Sequence, residues 1–332
     1  MKKVPLILAL LVTASPLTGI AQSQNELPTN LPGVTTTAAP PEAFDPRTAT
    51  DADLAFYGFP PRPNDSADYE GWATAMAASG ERIVPILEQT NIYHGPLQKA
   101  PSEDANISKS SNWSGYVHLG SAKSYGKFSY SSISSKITVP TAQVAEGTCT
   151  GVPDFASGWV GIDGDNSNDV LQDGIEFDAI CDKGEKATLY AAWIEWFPLD
   201  EDRISNFPIK PGQLFFVETW STSATSGHFF IENVTEKKHT TLSLSAPKGT
   251  KLIGNSAEFI TERPGVNGGL ATLTNYGSQT YTDAVAETFN NVKIDPGDSE
   301  AIEMLDNNGK VISYPTLKSA TSFEMKDKGS AK

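Results

Sequence analysis

The chain has 332 residues and a formal net charge of −15, from 25 lysines and arginines against 40 aspartates and glutamates. This acidity excludes a nucleic-acid-binding protein, because such proteins present a cationic face to phosphate. The length is enough for one large domain and a smaller segment. Two cysteines and four scattered histidines offer no paired zinc-ligand spacing, so we expect no metal and no cofactor.

The first 21 residues have the pattern of a secretory signal peptide. Lys2 and Lys3 precede an apolar run at 4–14, and Gly19 and Ala21 stand three and one positions before a possible cut. No later apolar stretch approaches about 20 residues, the length that a membrane-spanning helix needs. We therefore predict a secreted, extracellular protein that has no membrane association after this peptide is removed.

Residues 22–106 form a second part with a mixed texture. The stretch 22–55 is rich in proline, threonine and acidic residues without an apolar period, which predicts weak order. An aromatic and proline-rich stretch at 56–63 predicts an extended segment. Apolar residues at helical spacing then predict one helix over 68–92, which Pro85 should kink or break.

From residue 107 to residue 332, short runs of β-branched and aromatic residues alternate with polar ones between glycines, prolines and asparagines. Many short strands without interleaved helices predict an all-β domain, built as an antiparallel sandwich or barrel. The predicted strands are 114–119, 128–139, 158–162, 170–180, 187–197, 213–221, 227–234, 239–246, 257–261, 270–276, 301–305 and 311–314.

The two cysteines of the chain, Cys149 and Cys181, both lie in this all-β part. An exported protein with an even number of cysteines favours a disulfide between them. Two unpaired thiols are the alternative.

Polar side chains share one face of several predicted strands. Successive strand residues point to opposite faces, so Gln172 and Glu176 lie together, as do Trp193 and Glu195. Glu258 points away from its apolar neighbours on the strand 257–261. Once assembled, one sheet face would carry several carboxylates and an amide, a surface suited to hydrolysis of an amide bond by an activated water.

Five short motifs surround these residues. They are Asn112-Trp-Ser-Gly-Tyr-Val117, Ser157-Gly-Trp-Val-Gly-Ile-Asp-Gly164, Val170-Leu-Gln-Asp-Gly-Ile-Glu-Phe177, Ala191-Ala-Trp-Ile-Glu-Trp-Phe-Pro198 and Asn255-Ser-Ala-Glu-Phe-Ile260. In this order they resemble the eqolisin family of glutamic endopeptidases, of the scytalidoglutamic-peptidase type, from about residue 112 to about residue 323. The resemblance implies a sandwich of two large antiparallel sheets, like that of the legume lectins.

The resemblance also implies the site. The family's catalytic pair matches Gln172 and Glu258. The positions that match substrate-binding or supporting residues are Trp159, Asp163, Glu176, Trp193 and Glu195. Asp163 precedes a glycine in a turn, so turn chemistry is its alternative role.

We therefore predict a secreted, acid-acting endopeptidase that hydrolyses polypeptides with a water activated by a glutamate and a glutamine. We expect a monomer made as a zymogen, with a signal peptide at 1–21, an inhibitory propeptide at 22–106 and a catalytic domain at 107–332. The propeptide itself has 4 basic and 12 acidic residues, which disfavours inhibition by simple charge pairing. We expect the aromatic stretch 56–63 to occupy the cleft instead.

Two other classes of function remain open from the sequence. Lectin-like sandwiches include glycosidases with paired carboxylates on one strand, and Glu176-Phe-Asp178 matches half of such a motif. Cys181 stands where the motif's second glutamate would be. A non-catalytic sandwich that binds carbohydrate or peptide is the other alternative. Neither gives Gln172 a task.

Overall fold

The computed structural model describes residues 25–63, 66–102, 107–147 and 149–329, so the predicted signal peptide lies outside the described residues. The helices are α1 (Asp51–Phe56) and α2 (Ser66–Ala78), and a 3-10 turn lies at Pro296–Asp298. Neither helix has the length and apolar character needed to cross a membrane.

The first twelve strands are β1 (Glu26–Pro28), β2 (Val34–Thr37), β3 (Glu81–Arg82), β4 (Leu87–Gln89), β5 (Ile92–Tyr93), β6 (Lys99–Ala100), β7 (Ile107–Ser110), β8 (Trp113–Leu119), β9 (Tyr130–Thr138), β10 (Ser157–Ile162), β11 (Val170–Asp182) and β12 (Glu185–Phe197). The others are β13 (Asp202–Ile204), β14 (Leu214–Ser223), β15 (Ser226–Asn233), β16 (Lys238–Ser245), β17 (Ser256–Glu262), β18 (Gly265–Val266), β19 (Gly269–Leu270), β20 (Ser278–Thr288), β21 (Lys293–Ile294), β22 (Glu300–Leu305), β23 (Val311–Ser319) and β24 (Ser322–Asp327).

Most strands form one continuous sheet that folds over itself into two packed leaves. The front leaf runs in the order β4, β13, β12, β11, β10, β17, β8, β22. The back leaf runs β24, β20, β9, β14, β15, β16, and β23 joins the leaves by pairing with β22 and β24. Antiparallel pairing dominates, and β10 and β11 lie against β9 and β14. The predicted antiparallel sandwich is confirmed.

Strand alternation fills the space between the leaves with apolar side chains. On β11, Leu171, Ile175 and Phe177 point inward and are buried. They meet Phe215 and Val217 of β14 in the same core. Burial of each such side chain stabilises the fold by roughly 1.5–3 kcal/mol. The outer face of the front leaf is thereby free to carry polar groups.

The N-terminal segment is ordered over its described residues 25–63 and 66–102, so the predicted weak order of 22–55 is wrong for residues 25–55. β1 and β2 pair with each other, and β2 extends the back leaf beside β16. Apolar side chains of this segment pack on Phe216 and Phe230, on the outer face of the back leaf. They are Leu54 in α1, Phe59 between the helices and Trp72 in α2. The stretch 56–63 therefore lies on the back leaf, and the expectation that it occupies the cleft is also wrong. An apolar sheet surface orders these scattered aromatic residues.

The predicted helix over 68–92 ends at Ala78. Gly80 follows with a φ of +42°, and a Cβ there would lie 2.2 Å from the carbonyl oxygen of Lys237. The chain then pairs with the edge of β16, where the Ile83 amide donates to the His239 carbonyl at 2.8 Å. The open edge of β16 supplies these backbone hydrogen bonds, so the apolar residues after Gly80 form short strands instead of helix.

Two strands of the back leaf were not predicted, and one predicted strand is wrong. The stretch 270–276 is mostly loop, with only its first residue in β19. The two strands that were not predicted are β20 and β24. In β20 the register shifts between Thr282 and Val285, and Asp283 there has a φ of +51°. This bulge interrupts the period-two pattern on which strand prediction depends.

The predicted disulfide between Cys149 and Cys181 is confirmed, and it closes a separation of 32 residues. Loop-closure entropy for a loop of this length corresponds to about 3–4 kcal/mol. We expect Cys149→Ser with Cys181→Ser to lower the free energy of unfolding by about this amount, measured by urea denaturation. The bridge lies at the far end of β11 from Gln172, so peptide hydrolysis should persist. Loss of hydrolysis in the folded double variant would contradict the conclusion that the disulfide lies away from the residues needed for hydrolysis.

Candidate active site

Three adjacent strands bring Gln172 and Glu258 to the same face of the front leaf. β10 is the central strand, and its Gly161 pairs with Gln172 of β11 on one side and with Glu258 of β17 on the other. Directly paired residues of antiparallel strands point to the same face. The three therefore form one row, with the outer two Cα atoms about 10 Å apart, which is two strand spacings.

The absence of a side chain at Gly161 allows its neighbours to pack closely in the middle of this row. A Cβ at this position would lie 2.9 Å from the Trp159 ring and 3.2 Å from Cβ of Gln172. Contacts of this length are tighter than van der Waals packing allows. Gly161 therefore makes room for the Trp159 ring and the Gln172 side chain beside the middle of the row.

Three acceptor atoms in this row have no hydrogen-bond partner among the described residues. They are Oε1 of Gln172 and both carboxylate oxygens of Glu258, and both side chains are fully buried. Burial raises the pKa of the Glu258 carboxyl well above its usual range. The neighbouring Ser256 hydroxyl and the backbone of Asp165 lower this pKa, the carboxyl groups of Asp163 and Asp165 raise it, and burial outweighs the rest. Buried polar atoms are normally hydrogen-bonded, so the row is suited to a donor such as water.

The other end of the Gln172 amide is held by two acceptors. Its Nε2 donates to the backbone carbonyl of His94 at 2.6 Å and to Oε1 of Glu195 at 3.3 Å. Glu195 is the residue paired with Gln172 on β12. The carboxylate of Glu195 also accepts the backbone N–H of His94, at 3.1 and 3.0 Å. The NH2 group is thereby directed at His94 and the amide oxygen is left free.

His94 belongs to the N-terminal segment and is fully buried in the cleft. Its Nε2 lies 3.2 Å from Glu201 and its Nδ1 lies 3.3 Å from Glu262. The ring stacks on Trp193, with centroids 3.9 Å apart and planes at 9°. Burial alone would lower the pKa of His94, but the hydrogen bonds to Glu201 and Glu262 outweigh it and hold the pKa well above the usual range. The two carboxylate partners therefore favour the doubly protonated form of the ring.

Trp159 forms another part of the cleft wall. Its Nε1 donates to Oε2 of Glu262 at 2.9 Å, and its ring contacts Trp113 edge-on at 5.0 Å. Asn112 donates to the other oxygen of Glu262 at 3.2 Å. These contacts fix the carboxylate that faces His94.

Glu176 is paired with an arginine that sequence reasoning did not single out. Arg203 of β13 donates to Oε2 of Glu176 from Nε at 2.9 Å, and its Nη2 lies 2.6 Å from the same oxygen. Nη2 also donates to Oε1 of Glu201 at 3.2 Å. His94, Glu176 and Glu201 present ligand atoms close enough together to hold a metal ion. The guanidinium of Arg203 already supplies a positive charge there.

The Arg203→Met variant is expected to be less stable by about 3–5 kcal/mol at pH 7, because Glu176 would stay buried with an uncompensated charge. Burial raises the pKa of Glu176 well above its usual range, so this carboxyl takes up a proton as the pH falls. The loss should therefore shrink between pH 7 and pH 4 in denaturant unfolding. Arg47→Met, which removes an exposed pair with Asp45, is the control and should change little. Equal losses at both pH values would contradict the argument.

Asp163 supports the site from behind. Its carboxylate accepts the backbone N–H groups of Ile253 at 2.7 Å, Gly254 at 3.0 Å and Asn255 at 2.8 Å. These residues lead directly into β17, and Asp163 itself has a φ of +70°. Its bonds therefore hold the loop before Glu258, and its turn role and its supporting role coincide.

The structure brings the predicted residues Gln172, Glu176, Trp159, Trp193, Glu195 and Glu258 together on one face and places Asp163 beside them. Sequence reasoning missed His94, Glu201, Arg203 and Glu262. Glu262 lies four residues after Glu258 on the same strand face, so alternation was a signal for it. No local signal pointed to the other three.

The part of the chain that forms this site matches a known family. The model of the Peptidase A4 family matches residues 111–327. The chain belongs to the Peptidase A4 family. Aspergillopepsin-2 of Aspergillus niger is 29% identical over 227 residues, which is 64% of this chain and 76% of the relative. Scytalidopepsin B of Scytalidium lignicola is 29% identical over 168 residues, which is 50% of this chain and 56% of the relative.

Solved structures of the family agree with the fold. A scytalido-glutamic peptidase bound to a peptide-based transition-state analogue is 25% identical to this chain, with a TM-score of 0.53. The alignment covers 65% of this chain and 98% of that one. The predicted eqolisin membership is confirmed, and this Peptidase A4 protein is a glutamic endopeptidase. The family match begins at residue 111, after the segment that carries His94.

Proposed function

We propose that this peptidase is an exported, acid-acting enzyme in which Glu258 and Gln172 activate a water molecule, and that residues 22–106 keep it inactive until they are removed. The observation that carries the proposal is the row of Gln172, Gly161 and Glu258, with its three buried acceptor atoms lacking partners. This row can hold one water molecule between a carboxylate and an amide.

Glu258 would act first as base and then as acid. Its ionised carboxylate accepts a proton from the water, and the water oxygen forms a bond to the carbonyl carbon of the peptide. Oε1 of Gln172 accepts the second hydrogen of the water, and Nε2 donates to the oxyanion that develops. Glu258 then gives its proton to the leaving nitrogen as the C–N bond breaks. The proton, the water and the two fragments are all accounted for without a cofactor.

The N-terminal segment would block this chemistry by occupying the same donor. The carbonyl of His94 accepts from Nε2 of Gln172, the group assigned to the oxyanion, and a substrate carbonyl cannot bind there at the same time. Burial also raises the pKa of Glu258 in the closed form, which favours the protonated base. Entry of solvent after the segment leaves would restore the carboxylate.

Glu258 must be ionised to accept the proton of the water, so the rate should fall at very low pH. The fall that we propose at higher pH rests on the likeness to the family and requires a second group that acts in its protonated form. Export is supported by the signal-like pattern of residues 1–21, which lie outside the described structure, and by the disulfide of Cys149 and Cys181.

The test is cleavage of a denatured protein between pH 2 and pH 7 by the chain after acid treatment, with electrophoresis to show that the N-terminal segment has been removed. We expect cleavage confined to acid, and none by the untreated chain at first contact. A folded and processed chain without activity at any pH would overturn the proposal. Activity of the intact chain equal to that of the processed chain would overturn the inhibitory role of residues 22–106.

A further inference from the structure

A separate cavity lies on the other side of the sandwich from the catalytic row. It has a volume of about 500 Å³ and lies on the outer face of the back leaf, with α1 and the stretch 59–63 along one side. Cavities of this size commonly bind small molecules. The catalytic row lies on the outer face of the front leaf, so the proposed peptide hydrolysis does not use this cavity.

Two rows of paired residues form the floor of the cavity. β9 lies between β20 and β14 there, and directly paired residues of antiparallel strands point to the same face. The first row is Val285, Ser134 and Glu218, and the second is Glu287, Ser132 and Trp220. The serines of the middle strand are shorter than the side chains on both sides, so the rows make a groove. We call these six residues the back-leaf groove.

The back-leaf groove contains polar groups that make no hydrogen bond within the protein. Glu218 is only 5% exposed, and its carboxyl group has no hydrogen-bond or ion-pair partner in the part of the chain that the structure describes. The side-chain hydroxyls of Ser132 and Ser134 likewise have no partner there. A buried carboxyl group without a partner is costly. A ligand that supplies hydrogen bonds to these three groups would therefore be stabilised in the groove.

The charge around the groove favours a neutral ligand over a cation. Burial raises the pKa of Glu218 well above its usual range, and the carboxyl groups of Asp173 and Glu287 raise it further. A protonated carboxyl group both donates and accepts hydrogen bonds, as does a serine hydroxyl. Arg62 also lines the cavity and pairs with Asp51 at 2.8 Å, so these two charges offset each other. Groups that each donate and accept suit a ligand rich in hydroxyls.

Aromatic rings supply the apolar part of the cavity. Trp220 forms one wall, and its ring stacks on His228 with centroids 5.4 Å apart and planes at 20°. Phe289 also lines the cavity and is 42% exposed, so it lies at the opening. A sugar ring has hydroxyls around its edge and apolar C–H groups on its faces, so it uses both kinds of partner. A purely apolar ligand would leave Glu218 unpaired.

We propose that the back-leaf groove is a binding site for a short neutral oligosaccharide, separate from the peptide cleft. Glu218, Ser132 and Ser134 bind its hydroxyls, and Trp220 packs on the face of a sugar ring. α1 and the stretch 59–63 line part of the cavity, so the site is complete in the full chain. This inference does not depend on the proposed chemistry of Gln172 and Glu258.

The test is calorimetry at pH 5 on the full chain with Glu258→Gln, which prevents self-cleavage, and electrophoresis confirms that the chain is intact. The probes are maltotriose, cellotriose and triacetylchitotriose, and spermidine is the cationic comparison. We expect at least one sugar to bind with a Kd in the micromolar to millimolar range, more tightly than spermidine. Absence of binding by all three sugars at millimolar concentrations would overturn the proposal. Tighter binding of spermidine than of every sugar would also overturn it.

Variants of Glu218 locate the sugar and test its neutrality. Glu218→Leu should weaken binding about tenfold or more, because it removes a donor and an acceptor, and loss of a carboxyl group without a partner should leave the fold intact. Glu218→Gln keeps a donor and an acceptor and should bind within about threefold of the parent. Glu303→Leu is the matched control, because Glu303 pairs with Lys109 away from the groove.

Each variant can contradict the proposal. Unchanged sugar binding by folded Glu218→Leu would show that the sugar binds elsewhere and would overturn the assignment to the back-leaf groove. Equal losses in Glu218→Gln and Glu218→Leu would show that the negative charge is needed and would overturn the neutral ligand. A loss in Glu303→Leu equal to that in Glu218→Leu would likewise overturn the assignment, since the effect would not be specific to the groove.

Discussion

Replacing Glu258 with glutamine is expected to abolish acid proteolysis by the processed enzyme while leaving the fold intact. Loss of a general acid–base group typically lowers the rate about 10²–10⁴-fold. We expect at least the upper end, because Glu258 both activates the water and protonates the leaving nitrogen in the mechanism proposed above. The measurement is kcat/KM on a quenched peptide between pH 2 and pH 7, with circular dichroism as the check on folding.

Stability gives this prediction a second, independent part. Burial raises the pKa of Glu258 above its unfolded value, so the stability that its proton uptake provides is present below the unfolded pKa and is lost as the pH rises through the folded pKa. Near neutral pH the wild type must either keep the proton or bury an unpaired charge. Glu258→Gln removes this titration, so its thermal midpoint should equal or exceed that of the wild type at pH 7 and depend less on pH.

Matched variants separate a catalytic loss from a structural one. Gln172→Ala should lower kcat by about 10²–10³-fold, the usual result of removing one oxyanion donor. Glu287→Gln, on the opposite leaf in β20, is the control and should retain full activity. Substantial peptide hydrolysis by folded Glu258→Gln would refute the role of this residue. A sharp loss of stability in the same variant would refute the expectation that burial of the Glu258 carboxylate destabilises the wild type at pH 7.

Much of this site is predictable from sequence because strand alternation is a local property. Gln172 and Glu176 share a face whatever the partners of β11 are. The same rule links Glu258 to Glu262, which was therefore within reach of the sequence. The position of Gly161 between Gln172 and Glu258 depends on strand pairing and was not predicted. Where alternation breaks, as at the bulge near Asp283, the prediction of the strand fails with it.

The remaining groups depend on contacts between distant parts of the chain. Arg203 lies in the three-residue strand β13, and Glu201 directly precedes this strand. The position of β13 is set by its pairing with β12 and β4. His94 lies 78 positions before Gln172, the group to which its carbonyl binds. A lone histidine in a polar segment carries no local sign of such a contact. The ordering of the N-terminal segment similarly requires the apolar outer face of the back leaf.

Replacing His94 with alanine is expected to make the unprocessed chain active. A hydrogen bond to a charged group contributes about 1.5–3 kcal/mol, and His94 makes two through its ring, so its loss should favour opening by about 3–6 kcal/mol. Each 1.4 kcal/mol is a factor of ten, so the population of open cleft should rise at least about a hundredfold. The measurement is the initial rate of peptide cleavage at pH 4, with electrophoresis to show an intact chain.

The control for this variant lies in the same segment. Asn91 is exposed and its side chain donates to Asn267 at 2.7 Å, so Asn91→Ala removes one hydrogen bond without touching the cleft. Asn91→Ala should remain as latent as the wild type. If His94→Ala were equally latent, the ring contacts would contribute nothing to inhibition, and the covering of the cleft would depend on the packing of α1 and α2 on the back leaf.

The pH dependence of closure follows from the sign of the His94 shift. The pKa of His94 is held above its free value in the closed form, so the stabilisation that it gives is fully present below about pH 6.5 and is lost as the pH rises through the raised pKa. Burial also raises the pKa values of the facing carboxyls Glu176, Glu195 and Glu262, whose proton uptake likewise accompanies closure. Acid therefore does not open the cleft through these groups, and removal of the segment requires cleavage of the chain.

Hydrogen exchange of the backbone amides in residues 92–97 of the full chain can measure this directly. After correction for the intrinsic pH dependence of exchange, the wild type should open more readily at pH 9 than at pH 6, because the imidazolium loses its proton. His94→Ala should open readily at both pH values and lose most of this difference. A wild type that opens on acidification without chain cleavage would contradict the argument, and closure would then depend on carboxylates that must stay ionised.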